Sequence, residues 1–135
     1  QTWSQTLEET APVVLAGDFN IAPGEHDVWS DRQLRRVVSH TPVEIAALRA
    51  FQQAGGWCDS ARLYVPAEHK LYSWWSYRNR DWKRSNRGRR LDHIWTSPAC
   101  TPLLRAYFTL TEARDWEKPS DHVPICIDMA MELAA

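Results

Sequence analysis

The stretch Val13-Val14-Leu15-Ala16-Gly17-Asp18-Phe19-Asn20 decides how this chain reads. Its first half is an uninterrupted apolar run of strand length, which predicts a buried strand over 13–17. At Asp18 it turns polar, and a loop runs on to His26 with Pro23-Gly24 as its turn signal. In an extended segment, residues i and i+2 share a face, so Asp18 and Asn20 should point together while Phe19 points into the core. A carboxylate fixed by a neighbouring amide can hold and deprotonate a water. The same pair equally suits an Asx turn that does no more than end a strand.

On the N-terminal side, residues 3–9 read as the end of a helix, with Trp3 and Leu7 spaced i, i+4. The first residue is Gln rather than Met, and the chain reads as cut from something longer. On the C-terminal side, residues 31–38 are ambiguous. Thr41-Pro42-Val43-Glu44 is a helix start: Thr41 can cap, Pro42 suits the first turn, and Glu44 completes a capping box. Ile45, Leu48 and Phe51 give that helix one apolar face, and Gly55-Gly56 stops it. Residues 57–63 enter a short element. Strands are expected over 71–77, 90–96, 103–110 and 123–129, the last with Pro124 at its start, where a missing N–H is tolerated. Strands with one or two helices between them predict a layered α/β or α+β domain.

At 135 residues the chain is long enough for one core and too short for two ordinary domains. It is 44% hydrophobic and 24% charged, which excludes a disordered or collagen-like chain. No apolar run approaches the roughly 18 residues of a membrane span, and the polar N-terminus does not read as a secretory leader. Cys58, Cys100 and Cys126 cannot all pair and lack Cys-x-x-Cys spacing, so a reducing cytoplasm is expected. The net charge of −1 hides a segregation. Between Arg78 and Arg90 there are seven basic residues and one acidic, a local +6 that leaves −7 on the remainder. Such a window reads as an anionic contact surface or as a solvated basic loop.

Three further motifs carry candidate chemistry. Leu91-Asp92-His93-Ile94-Trp95 places a carboxylate inside an apolar strand, where it needs a partner, naturally a histidine from elsewhere; the alternative is an edge Asp facing water. Ser120-Asp121-His122 cannot be a hydrolase triad, because contiguous residues cannot chain Ser to His to Asp. It reads instead as a metal-binding or orienting Asp121 beside a phosphate-facing His122, or as a polar cap. Tyr72-Ser73-Trp74-Trp75-Ser76-Tyr77-Arg78 leads into the basic window, and aromatics beside cations suit nucleic acid as well as a core. His26, His40 and His69 lack metal-ligand spacing and read as surface residues, while His93 reads as structural or site-facing.

Leu15-Ala16-Gly17-Asp18-Phe19-Asn20-Ile21-Ala22-Pro23, the aromatic stretch 72–78, Asn86-Arg87-Gly88-Arg89-Arg90-Leu91-Asp92-His93-Ile94 and Ser120-Asp121-His122-Val123-Pro124-Ile125 occur in that order. Together they resemble the C-terminal half of bacterial exonuclease III, an apurinic/apyrimidinic (AP) endonuclease of the endonuclease/exonuclease/phosphatase superfamily. The resemblance implies one half of a four-layer α/β sandwich, residues 1–135 forming a partial domain whose N-terminal half supplies an early Asn, a metal-binding Glu and a Tyr. It implies a DNA-repair nuclease of the cytoplasm that hydrolyses phosphodiester bonds at abasic sites and from 3′ ends of double-stranded DNA. It also implies magnesium, with manganese as a substitute. Alternatives are a phosphatase or other phosphodiesterase of the superfamily, or a non-catalytic DNA-binding fragment that needs its partner half.

By position, Asp18 resembles the water-activating carboxylate and Asn20 the residue that orients it and contacts phosphate. Asp92 resembles the carboxylate that orients His122, and His122 the group that stabilises charge on the scissile phosphate. Asp121 matches a metal-site residue, and Trp74 the wall of an abasic-sugar pocket. Arg78, Asn86, Arg87 and Arg90 fall in the DNA-contacting segment. Two positions depart from the pattern. Ser76 stands where an acidic residue is common, and Arg89 where a bulky apolar side chain is common, which weakens abasic-site selectivity. The isolated chain is expected to expose apolar sheet surface and to be weak or inactive alone.

Overall fold

The computed structural model describes residues 11–131, so the helix expected over 3–9 lies outside the described residues. The opening run forms β1 (Val14–Asp18), but it is not buried. It sits at the edge of a three-stranded sheet and pairs, among the described residues, with one neighbour, leaving Val14 44% exposed.

The central strand of that sheet is β3 (Asp92–Thr96), antiparallel to β1 on one side and to the two-residue β2 (Cys58–Asp59) on the other. Register sets Asp18 opposite Asp92 and Leu15 opposite Trp95. β4 (Leu104–Thr109) and β5 (Ile125–Met129) form a second antiparallel pair.

The short helix α1 spans Asp31–Leu34, capped by the Ser30 side chain. The helix α2 (Pro42–Gly55) follows its sequence signals closely. The Thr41 hydroxyl accepts from the Glu44 N–H, and the Glu44 carboxylate returns to the Thr41 N–H. Gly56 ends it at φ 63°, a left-handed conformation that favours glycine. Leu48 packs with Trp57 and Trp95, with Phe19 and Phe51 at the border of that cluster. Residues 57–63 yield β2 and the helix α3 (Ser60–Tyr64).

Two expected features differ. Residues 71–77 form no strand; Trp74 alone makes single bridges to Arg89 and to His122. Tyr72 and Trp75 turn into a core cluster with Trp82 instead, and this packing takes precedence over a ladder. The basic window is a loop broken by one helical turn, α4 (Trp82–Ser85). It is held against the body at Gly88, where a Cβ would run into the Tyr72 ring.

His40 is also not a surface residue. It is 2% exposed, with Nδ1 2.6 Å from the Ala22 carbonyl and Nε2 2.7 Å from an Asp31 carboxylate oxygen. These two contacts tie the loop after β1 to α1.

Candidate active site

Three motifs far apart in sequence converge at one end of the first sheet. Asp18 closes β1, Asp92 opens β3 directly opposite it, and His122 lies just before β5. Their donor atoms all lie within 4.8 Å of one another. His122 Nδ1 is 2.8 Å from Asp92 Oδ2, and its Nε2 is 3.7 Å from Asp18 Oδ2. The first contact is a hydrogen bond. The second is too long for one, yet close enough for strong attraction between charges.

Asp92 is the partnered carboxylate that its apolar strand required. It also accepts from the Ser73 hydroxyl at 2.7 Å, and the Ser73 oxygen in turn takes the Leu91 and Asp92 N–H groups. Ser73 is fully buried and sequence reading missed it. Its one signal was a small hydroxyl residue set among aromatics, where an unpaired hydroxyl would be costly.

His122 is half-buried, which by itself disfavours its charged form. The hydrogen bond to Asp92 and the charges of Asp92, Asp18 and Asp121 outweigh that, so its pKa is raised. An imidazole held this way presents Nε2 as a proton donor to an anion beside Asp18.

Asp18 is 39% exposed. Its Oδ1 accepts the Asn20 N–H at 2.9 Å, so the Asx turn is real. Asn20 sits at φ 54°, outside the extended region, so the strand on which a common face was expected ends at Asp18. Phe19 does point inward, stacked on His93 at 5.1 Å between ring centroids.

Asp121 lies outside the three-residue cluster, and its Oδ2 accepts from Trp74 Nε1 at 3.0 Å. His93 is structural, 1% exposed and bonded to the Ile21 carbonyl through Nε2. Burial, then the charge of Arg90, lowers its pKa.

Two carboxylates and an imidazole form a donor set that fits a divalent cation. A hard ion would be held by the carboxylate oxygens of Asp18 and Asp92, with His122 remaining on Asp92.

Beside the cluster runs a groove of about 660 Å3 lined in part by Trp29, Trp74, Arg78, Arg87 and Arg89. Trp74 is shared between groove and cluster, since its backbone bridges both Arg89 and His122. Arg78 and Arg87 are exposed. Asn86 is exposed, but its Oδ1 accepts from Trp75 Nε1 at 3.0 Å, which shapes the loop.

Arg90 does not belong to the DNA-contacting group. It is 1% exposed and spans Asp27 and Asp59 through four hydrogen bonds of 2.7 to 3.0 Å. Nothing in the basic run distinguished it from its neighbours; the signal lay in two distant aspartates.

Residues 1–122 match the family model described as Endonuclease/Exonuclease/phosphatase family. The chain is 32% identical over 124 residues to exodeoxyribonuclease III of Haemophilus influenzae, covering 87% of this chain and 46% of that protein. Among solved structures, an AP endonuclease from Archaeoglobus fulgidus superposes with a TM-score of 0.89 at 26% identity, over 95% of this chain and 49% of that one. A 3′ phosphatase from Neisseria bound to product DNA hairpin superposes with a TM-score of 0.82 at 32% identity, over 89% of this chain and 46% of that one. The chain thus spans about half the length of the curated relatives it matches. With the α/β architecture, the carboxylate–histidine cluster and the family match in agreement, this chain belongs to the endonuclease/exonuclease/phosphatase family.

Proposed function

We propose that this chain carries the Asp–His part of a DNA-repair nuclease that hydrolyses phosphodiester bonds at abasic sites and from 3′ ends. The observation that carries the reading is the convergence of Asp18, Asp92 and His122 beside a groove of tryptophans and arginines. Relatives whose names are exodeoxyribonuclease and AP endonuclease support it. So does a Neisseria relative solved with DNA.

In this reading a phosphate of duplex DNA sits against His122 Nε2, which stabilises charge developing on its oxygens. Asp92 and Ser73 hold the ring in place. Asp18, exposed and with no hydrogen-bond donor on Oδ2 among the described residues, accepts a proton from the attacking water. Asn20 and Asp121 complete the phosphate and metal contacts. Magnesium, or manganese, supplies positive charge to the phosphate oxygens when bound. Arg78, Arg87 and Asn86 meet the DNA backbone, and Trp74 faces the opened nucleotide.

The proposal takes residues 1–135 as the C-terminal half of the domain, completed by an N-terminal half; coverage of about half of each relative supports it. The same coverage favours a second reading, a DNA-binding fragment without activity of its own. Three unpaired cysteines support a reducing cytoplasmic setting.

The test is incision of a duplex carrying one abasic site, with magnesium and with EDTA, by the chain alone and mixed with an N-terminal half from a relative. Cleavage in the mixture that is lost with EDTA and with Asp18→Ala supports the nuclease. Salt-sensitive DNA binding without cleavage, in a mixture shown to assemble, favours the binding fragment.

A further inference from the structure

Four indoles line the groove beside the cluster, but they are not equivalent. Trp75 and Trp82 are buried, with Nε1 held by Asn86 and by Asp115. Trp29 and Trp74 are half-buried, and each carries a guanidinium over its ring. Arg87 Cζ lies 4.7 Å from the Trp29 ring centroid, and Arg89 Cζ lies 5.4 Å from that of Trp74.

The two arginines also differ. Arg89 is anchored, its Nη1 donating to the Val38 carbonyl and to Ser39 Oγ. Arg87 is exposed and, among the described residues, makes no hydrogen bond or ion pair; its one partner is the Trp29 ring. A planar cation resting on an indole with all its N–H donors free is a surface ready to sandwich another flat, polar ring. The groove volume of about 660 Å3 falls inside the roughly 300–1,000 Å3 typical of ligand sites.

Residue Trp29 was absent from every sequence motif with assigned chemistry. It comes to the groove through the backbone, its N–H donating to the Gly88 carbonyl at 3.2 Å and Val28 bridging Arg89. The basic loop and the segment after β1 are thereby locked together, which sets the Arg87–Trp29 pair beside Trp74 and the cluster.

We propose that Trp29 and Arg87 form a stacking subsite for an unpaired nucleobase, next to the nucleotide whose phosphate faces His122. This rests on the nuclease reading and deepens it: in the bound duplex, the subsite takes a base opened from its pair beside the cut. Phosphate contact alone would need neither an indole nor a planar cation, and lysines would serve. Stacking on an aromatic face is tolerant of base identity, so the subsite selects for an unpaired base rather than for a sequence.

The test is equilibrium binding to the full chain in EDTA, followed by tryptophan fluorescence and anisotropy. Two probes of equal length and charge are compared, an oligo-dT and an oligomer of the tetrahydrofuran abasic analogue, which has the phosphates without the bases. Oligo-dT is expected to bind about tenfold more tightly and to quench tryptophan emission. Arg87→Lys, which keeps the charge and loses the planar fork, is expected to bring the two probes to within twofold of each other. Trp29→Leu, checked for folding by circular dichroism, should do the same. Equal binding of both probes by the unsubstituted chain overturns the subsite and leaves the nuclease reading standing. An Arg87→Lys chain that keeps the tenfold preference also overturns it. Absence of binding to either probe at low salt overturns this proposal, and absence of binding to an abasic duplex under the same conditions overturns the DNA reading.

Discussion

Two carboxylate–cation groups in this molecule use similar residues for opposite ends. In one, Asp27, Asp59, Arg62 and Arg90 are packed together, with Asp27 and Arg90 each 1% exposed. In the other, Asp18, Asp92 and His122 stand 17 to 39% exposed, and Asp18 and Asp92 line a cleft. In the closed group every Asp27 oxygen has a guanidinium donor, and Gly24 adds its N–H. In the open group, Asp18 Oδ2 and His122 Nε2 face each other across 3.7 Å without a bond. Saturation and burial mark charge used to hold a fold, whereas unsatisfied, reachable charge marks a place where substrate can enter.

The largest effect expected from breaking the comparison is on the open side. Asp18→Ala, in the assembled nuclease, should lower abasic-site incision by about 10²–10⁴-fold while leaving the urea midpoint nearly unchanged, and His122→Ala should lower incision by as much. Steady-state cleavage beside urea unfolding measures both.

On the closed side the expectation reverses. Asp27→Asn removes the buried carboxylate that Arg90 and Arg62 share, leaving Asp59 as the one carboxylate on Arg90, and should cost about 3–5 kcal/mol, read from urea unfolding. The folded fraction should drop even without substrate.

Acid separates the two groups next. Burial alone would raise the pKa of Asp27 and Asp59, but Arg90 reverses this and holds both below the ordinary carboxylate range. Their contribution is therefore complete above about pH 4 and is lost as pH falls through the lowered values. His122 has a raised pKa, so its contribution is present below about pH 6.5 and is lost as pH rises through the folded value. Urea midpoints from pH 3 to 9 should fall at the acid end, steeply for the unsubstituted chain and less for Asp59→Asn. His122→Ala should remove only the slope above neutrality.

The smallest effect calibrates the rest. Lys83 and Asp115 pair at 3.5 Å on the surface, 77% and 50% exposed. Lys83→Ala should shift stability by less than about 1 kcal/mol by the same urea assay.

The comparison also shows where sequence could be read. α2 was legible because its cap, face and stop are local. β1, β3 and the strands of the second pair were legible from apolar runs. Asp92 was legible because a carboxylate inside an apolar strand needs a partner, and Asp18 and His122 because each stands in a short polar motif at the end of an apolar run. What failed was whatever depends on a distant partner. Arg90 looked like any arginine of a basic run until Asp27 and Asp59 came beside it, and His40 looked exposed until Ala22 and Asp31 did. The exposed β1 was read as buried because its residues are apolar, and composition does not tell an edge from a centre. The alternation that was to set Asn20 beside Asp18 stops where the strand stops, at Asp18.

The central claim is that the open group serves chemistry and the closed group serves the fold. The direct measurement takes Asp18→Asn and Asp27→Asn, two changes of the same kind, and records for each the urea unfolding free energy and magnesium-dependent incision of abasic DNA by the assembled nuclease. The account predicts that Asp18→Asn stays as stable as the unsubstituted chain and loses incision, while Asp27→Asn is strongly destabilised. Incision that survives Asp18→Asn, or equal destabilisation by the two substitutions, would contradict it.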